Sequence, residues 1–247
     1  MNTADVLKEA VSALRAGGVI LYPTDTVWGI GCDATRPEAV ARVFAIKRRS
    51  EAKSLVLLAA DLDMVARYVK AVPNIAIDLV EVNDRPMTLI YPGAICGCAP
   101  DGLRGPCPLT RSLREAPFAT PAPPGLPTSP AAPSRPPAGA LRSAIQTSSG
   151  ARHLLAWNTV AEDGSVGIRI PLPGFWRDLV ARLGRPLVST SANVSGEPTP
   201  RRFAEIPEEI RGAVDYIVPA SLERGSTGTA SQIIKVGLGG EVEIIRA

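Results

Sequence analysis

The sequence predicts an α/β protein in which one mixed sheet is flanked by helices. Three observations indicate this class. Apolar residues recur at helical spacing near the N-terminus, short β-branched runs alternate with helical stretches through the first part of the chain, and apolar runs then cluster towards the C-terminus. Strands that alternate with helices favour parallel pairing, and clustered strands add antiparallel pairs. The 45% hydrophobic and 21% charged composition is ordinary for a folded domain.

The first elements follow from their local patterns. Residues 3–16 have an apolar stripe at helical spacing and are followed by two glycines, which predicts a helix that ends there. Residues 19–22 are a short apolar run that predicts a buried strand. Thr35 and Glu38 have the spacing of a capping box with a proline between them, so a second helix is expected to begin there and run to about Lys47.

The remaining elements are predicted from the same two periodicities. Helices are expected at 61–69, 74–82 and 175–183, and strands at 55–59, 87–91, 166–170, 186–189, 214–218, 232–236 and 242–245.

Residues 29–34, GIGCDA, match the dinucleotide-binding fingerprint in its loosest form. That fingerprint also requires an acidic residue about 20 positions further on, at the end of the next strand. Here that position falls on Glu51, inside a polar run, and the polar residues PTDT separate the first strand from the glycines. The sequence therefore favours glycines in a tight turn over a dinucleotide site.

Residues 95–150 differ in composition from the rest of the chain. They hold 12 of the 24 prolines and three of the four cysteines, and their charged residues are five arginines and two acids. Such a segment cannot bury enough apolar surface to offset its ordering entropy, which predicts a proline-rich, low-complexity insertion, disordered or loop-like, in a single domain of residues 1–247. Because the chain carries a net charge of +3, the remainder is neutral, which argues against a basic nucleic-acid-binding face on the folded body.

Several classes of protein are not expected. The sequence has no run of 18 apolar residues and no N-terminal apolar stretch typical of a signal peptide, so neither a membrane span nor secretion is predicted, and the expected location is the cytoplasm. His153 is the only histidine, no P-loop motif occurs, and Cys96, Cys98 and Cys107 lack a fourth ligand at zinc spacing. We expect no metal site made by protein ligands.

Two polar segments leave alternatives open. Lys47, Arg48 and Arg49 end a predicted helix, where they either form a solvated face or face a bound anion. Residues 189–196, STSANVSG, follow an apolar strand. They are either a turn or a ligand site, since open α/β sheets place ligands at the carboxyl ends of their strands.

Five sequence elements, in order, carry a resemblance to a known family. They are YPTDTVWGIG at 22–31, Lys47-x-Arg49, RPMTLI at 85–90, SVGIRIP at 165–171 and Ser191-x-Asn193. This pattern resembles the YrdC-like family, the threonylcarbamoyl-AMP synthases, in its short single-domain form. In that family the strands that correspond to RPMTLI and SVGIRIP are joined by a short connection, so the resemblance also marks residues 95–150 as an insertion.

The resemblance implies a fold and a reaction. The implied fold is a twisted mixed sheet with a central concave cavity. The implied reaction converts L-threonine, bicarbonate or carbon dioxide, and ATP with Mg²⁺ into L-threonylcarbamoyl-AMP and pyrophosphate. A threonylcarbamoyl transferase complex would then modify tRNA, and weak RNA binding by the chain itself is a further expectation. Such a reaction needs positioning and charge stabilisation rather than a protein nucleophile.

The resemblance also implies site residues. Lys47 and Arg49 would be the catalytic pair on the triphosphate. The ATP contacts would be Lys47, Arg49, Lys53, Ser165, Ser191, Asn193, Thr199 and Arg246. The threonine contacts would be Thr24, Thr26, Arg169, Ser189 and Ser231, with Arg169 on the carboxylate because a guanidinium suits bidentate binding.

Two alternatives from other classes remain at this stage. One is an RNA-binding module, which the neutral body and the 4% aromatic content make weaker. The other is a divergent paralogue of the family without threonine activity, which the retention of Lys47-x-Arg49 and Ser191-x-Asn193 argues against.

Overall fold

Nine strands form one mixed sheet in the described part of the chain. The computed structural model describes residues 2–49, 55–97 and 154–247. The strands are β1 Ile20–Pro23, β2 Trp28–Gly31, β3 Val56–Leu58, β4 Met87–Tyr91, β5 Val166–Arg169, β6 Leu187–Ser191, β7 Tyr216–Ile217, β8 Gln232–Val236 and β9 Val242–Arg246. Their order is β7-β1-β2-β6-β3-β5-β4-β8-β9. Both parallel pairs (β1 with β7, β3 with β5, β4 with β8) and antiparallel ones occur, which confirms the predicted fold class.

Six helices accompany these strands in the same described ranges. They are α1 Thr3–Arg15, α2 Pro37–Ile46, α3 Leu62–Tyr68, α4 Asn74–Val82, α5 Phe175–Leu183 and α6 Glu208–Ala213, with short 3-10 turns at Trp157–Thr159, Phe203–Glu205 and Ala220–Leu222. The apolar stripe of α1 is buried and packs against α5 and β1. The sequence analysis did not predict α6, whose single buried side chain, Ile210, gives no helical periodicity.

The glycines of the WGIG segment lie in a strand, so the prediction of a tight turn is wrong. β2 pairs antiparallel with β1 on one side and with β6 on the other. A Cβ atom at Gly31 would lie 2.3 Å from the Val188 carbonyl oxygen and 2.8 Å from the Tyr22 ring. Glycine is therefore needed for the close approach of three neighbouring strands rather than for a phosphate-binding turn, which also removes the dinucleotide interpretation.

The predicted capping box at the start of α2 does not form. Arg36 occupies the N-cap position without a side-chain cap bond. The Thr35 hydroxyl instead donates to Asp33 Oδ1 over 2.6 Å, and the Thr35 backbone N–H donates to the same oxygen over 2.9 Å. Asp33 is fully buried and also pairs with Arg185 at 2.9 Å. An acid two residues upstream competes for the Thr35 hydroxyl, so the local Asx turn replaces the cap.

The folded body extends three residues into the predicted insertion. The Ile95 carbonyl accepts a bond from Leu155 N–H at 3.0 Å, and Gly97 N–H donates to the Leu155 carbonyl at 2.9 Å. Cys96 is buried between them. Residues 95–97 are thus bonded to the folded body, while residues 98–150 lie outside the described ranges, so the extent of the insertion stays a prediction. No helix within the described ranges is both long and apolar enough to cross a membrane.

We expect Asp33→Asn to destabilise the fold by about 3 kcal/mol, because it leaves Arg185 and the Thr35 donors without a buried anionic acceptor. The measurement is urea unfolding at neutral pH. The control is Glu209→Gln, which breaks an exposed ion pair with Arg48 and should cost less than about 1 kcal/mol. Equal losses in the two variants would contradict a structural role for Asp33.

Candidate functional site

A cavity of about 730 Å³ opens over the sheet and is lined by residues of every strand from β2 to β9 in the sheet order. Its described lining is made of hydroxyls, small residues and arginines and contains no carboxylate. The polar lining residues are Thr24, Thr26, Arg49, Thr88, Ser165, Arg169, Ser189, Thr190, Ser191, Thr199, Arg201, Ser231 and Arg246.

The hairpin between β1 and β2 presents two threonine hydroxyls to the cavity. Thr24 Oγ1 donates to the Val27 carbonyl over 2.7 Å and accepts the Thr26 backbone N–H over 3.1 Å. Because the single hydroxyl proton of Thr24 goes to the Val27 carbonyl, the Thr26 hydroxyl must be the donor in the 2.8 Å hydrogen bond between the Thr24 and Thr26 hydroxyls. This local Ser/Thr turn explains why a Thr-x-Thr sequence after Pro23 folds as a fixed wall rather than a free loop.

A buried ion pair lies behind that wall. Arg169 ends β5 and Asp25 lies in the hairpin, with Nη1 and Oδ1 3.1 Å apart and side chains 4% and 0% exposed. Arg169 Nη1 also donates to Thr26 Oγ1 over 3.1 Å. Burial lowers the pKa of Arg169, and the neighbouring Asp25 opposes that effect. The Nε atom of Arg169 is buried and has no hydrogen-bond acceptor among the described residues.

Lys47 lies under the cavity wall rather than in it. Its side chain is 2% exposed, and Nζ donates to the Ser191 carbonyl, to the Asn193 carbonyl over 2.7 Å and to Asn193 Oδ1 over 3.3 Å. The Ser195 N–H in turn donates to the Lys47 carbonyl over 3.0 Å. Burial, together with the charge of Arg49, lowers the pKa of Lys47 to about 8. Lys47 therefore holds the end of β6 and the following turn in place.

The three cations after α2 take three different positions. Lys47 is buried, Arg48 is exposed and pairs with Glu209 over 3.2 Å, and Arg49 lines the cavity. Arg48 has a φ of 48°, and this left-handed residue turns the chain so that its neighbours diverge. The solvated alternative thus holds for Arg48, whereas the anion-facing alternative stays a prediction for Arg49.

The opposite wall is built from β4, β5, β8 and β9. The Thr88 and Ser231 hydroxyls lie 2.8 Å apart, and Arg246 donates to the Ser231 carbonyl from Nε over 2.9 Å and from Nη2 over 2.6 Å. The Ser165 hydroxyl donates to Asp163 Oδ1 in the turn that precedes β5. Hydrogen bonds between neighbouring segments thus hold these side chains in position.

Ten of the thirteen site residues expected from the resemblance line the cavity. Lys47 and Asn193 lie directly behind it, and Lys53 lies outside the described residues. Residues 189–191 belong to β6 and line the cavity, and a turn follows, so the turn interpretation holds for the later part of the STSANVSG segment and the ligand site stays a prediction for residues 189–191.

The sequence analysis missed Asp25, Trp28, Thr88 and Arg201. Asp25 and Trp28 lie inside the 22–31 motif, where their spacing could have singled them out. No comparable signal exists for Arg201.

The described residues contain no group of three or more His, Cys, Asp or Glu side chains that could hold a metal ion. Any divalent cation in this cavity would find hydroxyls and carbonyls from the described lining rather than carboxylates.

Comparisons with known proteins find relatives that cover most of this chain. A family model described as Telomere recombination, Sua5_yciO_yrdC, matches residues 12–103 and 143–247. A protein of Stenotrophomonas maltophilia named threonylcarbamoyl-AMP synthase is 30% identical over 226 residues, covering 92% of this chain and 89% of that protein. A protein of Halorhodospira halophila with the same name is 29% identical, covering 87% and 83%.

Solved structures share the fold. P. abyssi Sua5, solved in complex with L-threonine, aligns with a TM-score of 0.65 at 19% identity over 96% of this chain. The chain spans about half of that protein, 52% of its length. E. coli YciO aligns with a TM-score of 0.60 at 20% identity, covering 99% of this chain and 89% of that one.

The buried position of Lys47 predicts a pH-dependent stability. Its folded pKa of about 8 lies below the unfolded value of about 10.4, so the unfolded chain binds more protons between these pH values. Stability must therefore rise with pH across that window. We expect the free energy of unfolding of the wild type to increase relative to Lys47→Met, by at most about 1.4 kcal/mol per pH unit.

Urea unfolding of both proteins from about pH 7 to about pH 10 measures this difference. Lys8→Met, which removes an exposed lysine of α1, is the control and should show a flat difference across the range. A flat difference for Lys47→Met as well would disprove the buried position of its ammonium group.

Proposed function

The chain belongs to the Sua5/YciO/YrdC family, and on that premise we propose that it is a threonylcarbamoyl-AMP synthase. The reaction joins L-threonine, bicarbonate or carbon dioxide, and ATP, and releases pyrophosphate. It is the first step of threonylcarbamoyladenosine formation in tRNA. The observation that carries this proposal is the cavity itself, where a buried arginine beside threonine hydroxyls faces further arginines on a lining without carboxylates.

The amino acid would bind at the hairpin side of the cavity. Arg169 has a buried, unpartnered Nε atom, and a carboxylate accepts well from a guanidinium. Thr24, Thr26 and Ser189 supply hydroxyl oxygens close by, and Ser231 would contact the substrate from β8. P. abyssi Sua5, which shares the fold, forms a complex with L-threonine, and this supports a threonine site in the present chain.

The nucleotide would occupy the remaining length of the cavity. Arg49 supplies a cation, and Ser165, Ser191 and Thr199 supply hydroxyls, with Arg246 closing the far wall. Lys47 and Asn193 would act from behind by holding Ser191. Mg²⁺ would enter with ATP as part of the substrate, because the described lining supplies no carboxylate and phosphate oxygens are its usual ligands.

The reaction requires the protein to orient the substrates and to stabilise the negative charge that develops. The threonine nitrogen first takes up carbon dioxide to form a carbamate. A carbamate oxygen then forms a bond to the α-phosphorus of ATP, and the bond from that phosphorus to the bridging oxygen of pyrophosphate breaks. Negative charge grows on phosphate oxygens during this step, and fixed guanidinium groups stabilise it without reorganising. No protein nucleophile is required.

The product would pass to a threonylcarbamoyl transferase complex that acts on tRNA, with both steps in the cytoplasm. The test is a pyrophosphate-release assay with purified protein, ATP, Mg²⁺, bicarbonate and L-threonine. Threonine-dependent release is expected. Pyrophosphate release that does not depend on threonine would indicate a divergent paralogue without threonine activity. Binding of tRNA without pyrophosphate release would indicate an RNA-binding module.

Arg169→Lys should raise the KM for threonine about tenfold to a hundredfold and leave the KM for ATP nearly unchanged. Lysine cannot replace two parallel N–H donors, and a charge-assisted bond of this kind contributes about 1.5–3 kcal/mol. Steady-state kinetics with each substrate varied in turn measures the effect. Arg177→Lys, at a half-buried arginine outside this cavity that bonds to the Ala60 carbonyl, is the control. An unchanged threonine KM in Arg169→Lys would exclude a carboxylate contact.

We expect deletion of residues 104–142 to preserve threonine-dependent activity. These residues lie outside both parts of the family match, and Gly97 and Leu155 at the two sides of the segment are already hydrogen-bonded to each other. Shortening the connection about threefold changes its closure free energy by only about 1 kcal/mol. Thermal unfolding and the pyrophosphate assay measure the outcome. A variant that folds but has lost turnover would show that the segment takes part in catalysis.

A further inference from the structure

Four arginines line the cavity, and three of them already have a place in the site. Arg169 pairs with Asp25, and Arg246 donates twice to the Ser231 carbonyl. Arg49 was expected from the resemblance as a phosphate contact. Arg201 is the fourth, and neither the threonine contacts nor the nucleotide contacts proposed above include it.

The Arg201 side chain lies exposed at the rim of the cavity. Its guanidinium makes no hydrogen bond and no ion pair with any other residue in the described ranges, so its N–H donors are available to a ligand. The lining adjacent to it contains hydroxyls and apolar groups but no carboxylate. A cation in this position raises the local concentration of anions and is available to bind one.

The backbone that carries Arg201 is held in place. The Arg201 N–H donates to Glu205 Oε2 over 2.8 Å, and Pro200 before it is buried. Two residues later, the Phe203 ring packs against Trp28 with ring centroids 5.1 Å apart, and Trp28 itself lines the cavity. The guanidinium therefore projects from a fixed base, which lowers the entropy that an anion contact would cost.

The position of Arg201 in the fold points to one end of the nucleotide. The turn that leads from Asn193 towards Arg201 is bonded to Lys47 through the Ser195 N–H, and Arg49 follows Lys47 by two residues. Arg49 and Arg201 thus extend from two segments that are joined to each other. The threonine contacts, in contrast, centre on Arg169 and the hairpin.

We propose that Arg201 binds, together with Arg49, the β- and γ-phosphates of ATP that leave as pyrophosphate. This inference rests on the proposed function. As the bond between the α-phosphorus and the bridging oxygen breaks, its electron pair stays with the pyrophosphate, whose charge increases. A guanidinium can donate two parallel hydrogen bonds to the oxygens that carry this charge, a geometry that a single ammonium does not offer.

The neighbouring arginine provides a matched control. Arg202 is also exposed and makes no side-chain bond in the described ranges, yet it does not line the cavity. Arg201→Ala and Arg202→Ala therefore remove the same charge from adjacent positions. Calorimetric titration of the full chain with ATP, AMP and inorganic pyrophosphate, each with Mg²⁺, compares the two variants with the wild type.

Arg201→Ala should weaken binding of ATP and of pyrophosphate about tenfold and leave AMP binding unchanged, while Arg202→Ala should stay within about twofold for all three ligands. Arg201→Lys should recover part of the loss. Unchanged ATP affinity in Arg201→Ala, equal losses in both alanine variants, or an equal loss for AMP would each overturn the assignment. Wild-type protein without threonine-dependent pyrophosphate release would instead refute the proposed function, so the two failures are distinguishable.

Discussion

The buried pair of Arg169 and Asp25 is the constraint around which the cavity is built. Both side chains are almost completely removed from water, and either charge alone would be costly there. Asp25 belongs to the hairpin after β1 and Arg169 to the end of β5, and these strands are not neighbours in the sheet. The same hairpin accepts backbone bonds from Thr227 to the Asp25 carbonyl over 2.9 Å and from Gly228 to the Thr26 carbonyl over 2.7 Å. Pairing the two charges thus brings three distant segments together and fixes the threonine hydroxyls between them.

The cations around the cavity are of two kinds. Some donate hydrogen bonds to the backbone of the cavity wall, and others line the cavity. Lys47 gives its donors to the protein, and Arg246 gives donors from both Nε and Nη2 to the Ser231 carbonyl, so both hold walls in place. Arg49 and Arg201 line the cavity itself. A phosphate chain needs both kinds, because a cation stabilises a developing charge only if its own position does not change during the reaction. Burial disfavours the charged forms of Lys47 and Arg169 and lowers the pKa of each. Carbonyl acceptors around Lys47 and the Asp25 carboxylate beside Arg169 offset this cost.

Sequence patterns predicted an element correctly where its conformation depends on its own residues. The stripe of α1 and the apolar runs of β4 and β8 were predicted within a residue or two, because periodic burial is written into local composition. The same patterns gave wrong predictions where a neighbouring group or strand competes for the residues involved. Thr35 has a capping-box partner in Glu38, yet Asp33 takes its hydroxyl. Gly29 and Gly31 suggest a turn, yet β6 approaches closely enough to make them strand residues. In both cases the sequence contains the competing group, but it does not give the distance between that group and the residue it affects.

The sequence by itself determined the fold class, the family resemblance and most of the residues that surround the cavity, because these depend on residue type, order and spacing. Only the tertiary structure decided what each of them does. Lys47 and Ser191 are 144 residues apart in the chain, and their bond places a predicted cavity cation behind the wall instead of in it. Arg201 lies in no motif and becomes significant only because Phe203 packs on Trp28 and holds it at the rim. Which acceptor a buried donor reaches is a property of the packed chain, since burial makes every polar group take whichever partner the fold brings within hydrogen-bond distance.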